Sequence, residues 1–553
     1  MSPRRVGTGL ASGALLMAIT IAFSRIIGFV RWLVFSSTVG STDIGTAYTN
    51  ANTVPNVLYE VAAGGALAGA VVPLLAGPLL ARRQSEANQI TSALLTWALT
   101  VLVPLAAVMA LFAGPISGLM QVPGEQQDLA ARLLVVFAPQ VIFYGIGIVV
   151  TGVLQAHKRF FWPVFAPILS SVVVICAYLV FAHESAQLGA DSVAATRSAV
   201  LWLGGGTTAG VVAMSLPLLV PGWRTGMRLR LTWRFPPGVA RRAVNLASAG
   251  VGALLAQQLS VVATMLLANS FGGVGAHTTF LYAQTVYNLP YAVLAVPLAT
   301  SAFPRLAEFA QGGDWKGYAA GAAASTRAVL LVSGAGAVAL VAAAPAVQAL
   351  FNSLDAGVPA GLAPALVLMA PGLLGFAIIA HVTRVLYAAE EGRTAMIATS
   401  TGWVSVIIAS WLAILWRTDF GDNATIVTAL EGLGIGSSIG MTIAGVLLLL
   451  GLRRTVGARA LQGLGRTMVT LIVAALAGGV GWQVTQWTLS QAPSILKSVG
   501  AGVLGGIAAI AVFAVVVAIG DRKVLRAVLR RDVATPKQNS TQQVVAADES
   551  KRE

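Results

Sequence analysis

The chain has 553 residues, 57% of them hydrophobic and only 10% charged, with a mean hydropathy of +0.81. Soluble domains carry about 25% charged residues, so this composition excludes a water-soluble globular enzyme, a disordered chain and a disulfide-stapled scaffold, and marks a polytopic membrane protein. The net charge of +15, from 35 Lys/Arg against 20 Asp/Glu, admits either nucleic acid or membrane topology as its cause, and the placement of the cations decides between them.

Arg4 and Arg5 precede an apolar run that resembles a signal peptide, but no small-residue cleavage site follows, so the run reads as a retained first helix. A helix needs about 20 apolar residues to cross a bilayer. Fourteen stretches qualify, the first seven at 10–34, 46–78, 89–114, 130–155, 161–182, 198–220 and 245–270. The second seven are 279–309, 319–352, 361–388, 395–416, 429–451, 467–489 and 498–519. Several hold Gly or Pro, which membrane helices tolerate where neighbours satisfy the freed backbone groups. Cys176, the only cysteine, lies in the apolar run 165–181 and reads as a buried inert thiol.

Of the 35 basic residues, 27 fall in alternate loops and the tail on one side, and three (Arg197, Arg417 and Lys497) on the other. The bias explains the charge without nucleic acid and places both termini in the cytoplasm of a multi-pass plasma-membrane protein. Five arginines remain within or beside the spans: Arg25, Arg31, Arg132, Arg327 and Arg384. The last three lie near span ends and read as snorkelling to the headgroups. Arg25 and Arg31 are deeper. An intramembrane arginine costs about 2.5–3.5 kcal/mol on insertion scales, so it faces a partner or a wet cavity. Glu60 is the only carboxylate clearly inside a span. Either Glu60 pairs with one of these arginines to fix packing, or the cations line a cavity for an anionic substrate that Glu60 tunes or gates.

Two parts of the chain look alike. Pro73 and Leu154 stand 81 positions apart at the ends of the second and fourth spans, and Pro304 and Leu386 stand 82 apart at the ends of the eighth and tenth. The expected architecture is therefore all-α, with two six-helix lobes, 1–235 and 236–460, related by a parallel pseudo-two-fold axis. The basic linker 222–242 joins them, helices 13 and 14 follow at 461–520, and 521–553 reads as a disordered cytoplasmic tail. No phosphate-binding loop of an ATPase occurs, and His157, His183, His277 and His381 lack companions at metal spacing. The expectation is a non-enzymatic transporter without metal or cofactor.

The segment Ser24-Arg25-Ile26-Ile27-Gly28-Phe29-Val30-Arg31 resembles the first-helix signature of the MviN/MurJ family of lipid II flippases, within the multidrug/oligosaccharidyl-lipid/polysaccharide exporter superfamily. Asn52-Thr53-Val54-Pro55-Asn56-Val57-Leu58-Tyr59-Glu60 is similar to that family's second helix, and Gln155-Ala156-His157-Lys158-Arg159-Phe160 to its fourth-to-fifth junction. Leu281-Tyr282-Ala283 with Phe303-Pro304-Arg305-Leu306 resembles its eighth helix, so the likeness covers about 1–520. The resemblance implies flipping of a lipid-linked peptidoglycan precursor by alternating access for cell-wall synthesis and cell shape. It also implies diphosphate contacts from Arg25 and Arg31, whose forked donors suit that group, and a tail groove formed by 467–519. Asn56, Tyr59, Glu60 and Thr285 are carried over as cavity or gating positions. The chain departs from the family where its arginines would fall, with Tyr59 and Thr285 in their places and Gln284 for an acid. The spans 245–270 and 395–416 hold no carboxylate, so no sodium site is expected. Membrane lipids, and cell-wall or division proteins reached through the basic loops and tail, are the implied partners. Another polyprenyl-linked glycan as cargo, or a non-transporting cell-wall scaffold, remain as alternatives.

Overall fold

The computed structural model describes residues 3–61, 68–188, 192–248, 251–355, 357–418, 424–489 and 494–522. The tail expected at 521–553 lies outside this set beyond residue 522. Among the described residues the chain is helical apart from its loops and the extended interlobe linker, without strands. The first elements are α1 (Pro3–Thr38), α2 (Asp43–Glu60), α3 (Ala68–Leu80), α4 (Gln84–Leu111), α5 (Gly124–Ala156), α6 (Phe161–Leu188) and α7 (Ala195–Trp223). After the linker come α8 (Val239–Ser248), α9 (Val251–Gly272), α10 (Ala276–Gln311), α11 (Trp315–Leu354), α12 (Leu362–Met369) and α13 (Gly372–Ala388). The last are α14 (Gly392–Arg417), α15 (Ile426–Val456), α16 (Ala458–Thr488) and α17 (Ile495–Gly520).

Eleven of these helices are long and apolar enough to cross a membrane, or twelve with α12 and α13 counted as one span bent by 49°. The other two expected spans fall on α1 and on α2 with α3, where part of the chain lies outside the described residues. The protein is a multi-pass membrane protein. Helices α1–α7 pack mainly on one another and α9–α15 likewise, while α16 and α17 lean together against α11. The halves repeat in detail. Backbone with positive φ, which ends helices by freeing the chain from αR, occurs at Arg82 and Gly313, at Lys158 and Glu390, and at Gly226 and Gly457. Those pairs are 231, 232 and 231 positions apart, the same interval that separates Pro73 from Pro304.

Lipid is as apolar as leucine, so helices in a membrane associate through close packing of small residues. The α14–α15 pair shows this: a Cβ on Gly436 would stand 2.3 Å from Ser410 N, and one on Gly440 2.6 Å from Val406 N. The backbones are in contact there.

The interlobe linker is stitched to the first bundle. The N–H groups of Arg228, Arg230 and Thr232 donate to Asn88 Oδ1, Ser92 Oγ and Thr96 Oγ1 at 3.2, 3.1 and 3.1 Å. Every second linker residue thus meets every fourth residue of α4. The two repeats match because four helical residues rise about 6.0 Å and two extended ones about 6.6 Å.

Two sequence expectations fail here. Arg327 does not snorkel: it donates to both carboxylate oxygens of Asp521 at 2.7 and 2.6 Å and to Thr467 Oγ1 at 2.9 Å, binding α11 to the ends of α16 and α17. Burial raises the Asp521 carboxyl, but the hydrogen bonds from Arg327 and Thr467 with the charges of Arg327 and Arg466 outweigh it and hold the group below its ordinary value. Cys176 is exposed on the surface of α6 rather than buried; in a lipid-facing helix an apolar neighbourhood carries no information about burial.

Candidate functional site

A chamber of about 290 Å3 lies between the two bundles, with walls from α1, α2 and α6 on one side and from α9 and α10 on the other. Arg31, Thr49, Asn52, Thr53, Asn56 and Glu60 contribute polar lining from the first bundle, and Gln257 and Gln258 from the second. Arg31, Asn56 and Glu60 therefore share one space. Neither Arg31 nor Glu60 forms an ion pair: those among the described residues are Arg83–Glu86, Arg327–Asp521 and Arg417–Glu431. The alternative in which Glu60 locks an arginine to fix packing is thus not what the structure shows. Asn56 Oδ1 accepts from Tyr144 Oη at 3.2 Å, which fixes the amide's orientation at the chamber wall.

The other expected positions lie elsewhere. Arg25 is exposed and is not among the residues lining this chamber; its charge, like that of Arg384 on α13, reaches Tyr291. Arg384 itself is half-buried and donates to Ala380 O within its own helix, which ties its guanidinium back to α13. Tyr59 turns into the first bundle, its ring 4.3 Å from that of Tyr144. Thr285 donates to Leu281 O in its own helix at 2.8 Å. Tyr59 and Thr285 thus leave the chamber with a single cation from α1 and a single carboxylate from α2.

An aromatic floor closes the chamber away from the arginine-rich loops. Trp32, Phe35, Tyr48 and Tyr178 line it, and Tyr48 Oη lies 2.8 Å from both Tyr178 Oη and Thr207 Oγ1. Tyr282 of α10 packs edge-on to Trp32 and stacks on Phe351 of α11, with centroids at 5.8 and 4.6 Å, so the floor spans both bundles.

Beyond the floor, a polar seam joins the bundles at their arginine-poor end. Asp355 Oδ2 accepts from Ser41 N and Oγ at 2.7 and 2.9 Å. Gly275 N donates to Thr46 Oγ1 at 2.9 Å, and the Thr49 and Thr278 hydroxyls are 2.9 Å apart. Asn50 Oδ1 lies 2.7 Å from His277 Nδ1, and Asn269 Nδ2 donates to Met120 O at 2.7 Å. Gly275 has φ +81°, and a Cβ there would stand 2.7 Å from Ser41 O; only glycine permits the approach. The sequence reading did not find this seam. Its signal was a cluster of polar residues, Asn50, Thr278 and His277 among them, at depths where each polar group needs a partner.

A family model described as lipid II flippase MurJ matches residues 35–498. The lipid II flippase MurJ of Burkholderia cenocepacia is 28% identical over 481 residues, covering 83% of this chain and 87% of that protein. A probable lipid II flippase MurJ of Synechocystis is 27% identical over 500 residues, covering 87% and 89%. Among solved structures, a lipid II flippase MurJ in an inward closed conformation superposes with a TM-score of 0.69 at 19% identity, over 93% of this chain and all of that one. An inward-facing multidrug transporter of the MATE family superposes at 0.65 and 17% identity, over 80% of this chain and 98% of the other. With its two repeated bundles, the chamber between them and a family match over most of its length, the chain belongs to the lipid II flippase MurJ family.

Proposed function

We propose that the protein moves lipid II, a lipid-linked peptidoglycan precursor, across the bacterial plasma membrane by exposing the interlobe chamber alternately to each side. The 27-to-3 bias of basic residues assigns the arginine-rich loops and both termini to the cytoplasm. On that assignment the polar seam is the outer gate, closed here, and the chamber belongs to the cytoplasmic half of the cycle.

Arg31 carries the reading. Its guanidinium lines the chamber and has no hydrogen-bond or ion-pair partner among the described residues. A cation kept in a poorly solvated space without a counterion favours an anionic ligand, and a diphosphate can take its forked donors two at a time. The amides of Asn56, Gln257 and Gln258 offer neutral donors and acceptors for the glycan and peptide part. Glu60 repels a second anion and so limits how deeply the diphosphate settles. Arg25 and Arg384, whose charges both act on Tyr291, form a separate cationic region that the diphosphate reaches on its way in. The lobes 1–235 and 236–460 rock about the chamber, breaking the seam when the cytoplasmic side closes.

Depletion and complementation test the assignment. With the native protein depleted, lipid II accessible at the outer leaflet falls, and wild-type chain restores it. Arg31→Ala at equal expression fails to restore it, and Arg31→Lys restores it in part, because a point charge replaces the fork. Full rescue by both Arg31→Ala and Arg25→Ala would refute the arginine roles.

A further inference from the structure

Another cavity, of about 470 Å3, opens at the arginine-poor end between α11, α12 and α16 and shares no residue with the interlobe chamber. Its lining holds no ionised side chain; Gln348, Asn352 and Ser353 of α11 and Trp482 and Gln486 of α16 give it polar groups. One amide fixes the rim. Gln348 Nε2 donates to Asn352 Oδ1 at 2.8 Å and to Pro359 O at 3.1 Å, and its Oε1 accepts from Ala363 N at 3.1 Å. The first of these bonds orients Asn352: with Oδ1 taken, Nδ2 is left as a free donor. The Gln486 amide has no partner among the described residues, and Trp482 is half-buried, packed on the core beneath. Asn352 stands 25 positions beyond Arg327 along α11, a rise of about 37 Å at 1.5 Å per residue. The hydrocarbon layer is about 30 Å thick, so the cavity meets water on the side opposite the basic loops. Ser353 is two residues from Asp355, whose contact with Ser41 closes the seam.

We propose that this cavity binds the saccharide of the ligand after it has crossed, holding a neutral N-acetylated sugar against Trp482 and between the amides of Asn352 and Gln486. The inference rests on the flippase reading above and adds to it a second site, on the side of release. A pyranose ring has an apolar C–H face and a polar rim, which match an indole with neutral amides beside it. The volume lies within the range of about 300–1,000 Å3 usual for small-ligand pockets. A phosphate would leave water there without a counter-charge, so the diphosphate does not follow the sugar in. A head group caught beside Asp355 while the seam is open is kept from returning to the chamber.

Saturation-transfer NMR of the full chain in bilayer discs tests the site, with the soluble disaccharide-peptide unit of peptidoglycan as the probe. Maltose and glycerol phosphate serve as competitors. Asn352 and Gln486 are exposed, so Asn352→Ala and Gln486→Ala leave the packing intact, and Trp482→Leu keeps an apolar group on the core. The probe should bind the wild-type chain, and each alanine should weaken it about two- to tenfold, the worth of one hydrogen bond. Trp482→Leu should weaken it at least as much. Maltose, which lacks the acetamido group, and glycerol phosphate, the headgroup of phosphatidylglycerol, should not displace it. No binding to wild type, equal binding by all three variants, or displacement by either competitor would overturn the proposal. Binding lost in Arg31→Ala but kept in Gln486→Ala would put the sugar in the interlobe chamber, overturning this site while the flippase reading stands. Binding lost in Gln486→Ala but kept in Arg31→Ala supports the site, and does so even if Arg31→Ala restores lipid II at the outer leaflet and the diphosphate assignment falls.

Discussion

Asp355→Ala is the sharpest perturbation of the seam between the bundles. Asp355 Oδ2 accepts two hydrogen bonds from Ser41, from its N–H at 2.7 Å and its hydroxyl at 2.9 Å. Bonds to a charged group contribute about 1.5–3 kcal/mol each. Asp355 is half-buried, so water recovers part of the loss and about 1.5–3 kcal/mol remains for the pair. Because the contact joins the bundles only while this end is closed, that energy moves the balance of conformations rather than the stability of either bundle. At 1.4 kcal/mol per factor of ten, the closed population falls about ten- to a hundredfold relative to the open one. Spin labels at Glu125→Cys and Ser353→Cys, both exposed at this end, report the separation in bilayer discs once Cys176 is replaced by alanine. Pulsed dipolar spectroscopy should show the short-distance population shrink in Asp355→Ala at unchanged thermal stability. An unchanged distance distribution would show that Asp355 does not hold the gate, and the alternating-access account of the seam would fail with it.

The remaining predictions concern packing and pH. Asp521→Asn removes the charged partner of Arg327, which is 19% exposed against 2% for Asp521; leaving a buried charge unpaired costs about 3 kcal/mol, read as a lower melting temperature in detergent at pH 7. The Asp521 carboxyl is held below its ordinary value in the folded chain, so its stabilisation is complete above the unfolded-state value of about 3.9. It is lost as pH falls through the depressed folded value. Wild type should therefore lose this increment on acidification below pH 4 and Asp521→Asn should not; parallel acid profiles for the two would contradict the pair. Gly436→Leu drives side-chain atoms into α14, where even a Cβ would stand 2.3 Å from Ser410 N. Overpacking of that kind costs at least about 1–3 kcal/mol, and size-exclusion and melting measurements on Gly436→Leu beside Gly77→Leu, whose Cβ meets nothing within 4 Å, separate the close contact from a general glycine effect.

Residue order alone was enough to show a helical membrane protein, roughly where its helices run, in which alternate loops its cations gather and that its halves repeat. Those properties follow from what a bilayer demands of any chain: runs of apolar residues long enough to cross it and cations kept to one side. The motifs in 24–31 and 52–60 pointed to Arg25, Arg31, Asn56, Tyr59 and Glu60, of which Arg31, Asn56 and Glu60 line the chamber. Which way each side chain faces came only from how the helices pack. In water, burial imprints a periodicity that the sequence displays; in lipid, a leucine is equally at home against a neighbouring helix or against acyl chains, and the imprint is erased. That is why Cys176 reads as buried and is exposed, and why Tyr59 turns away from the chamber that its neighbours Asn56 and Glu60 line. Arg327 likewise finds Asp521 across 194 positions, and Ser41 finds Asp355 across 314. Pairings at such separations depend on how the two bundles meet, and the meeting surface is a property of the assembled helices rather than of any one of them.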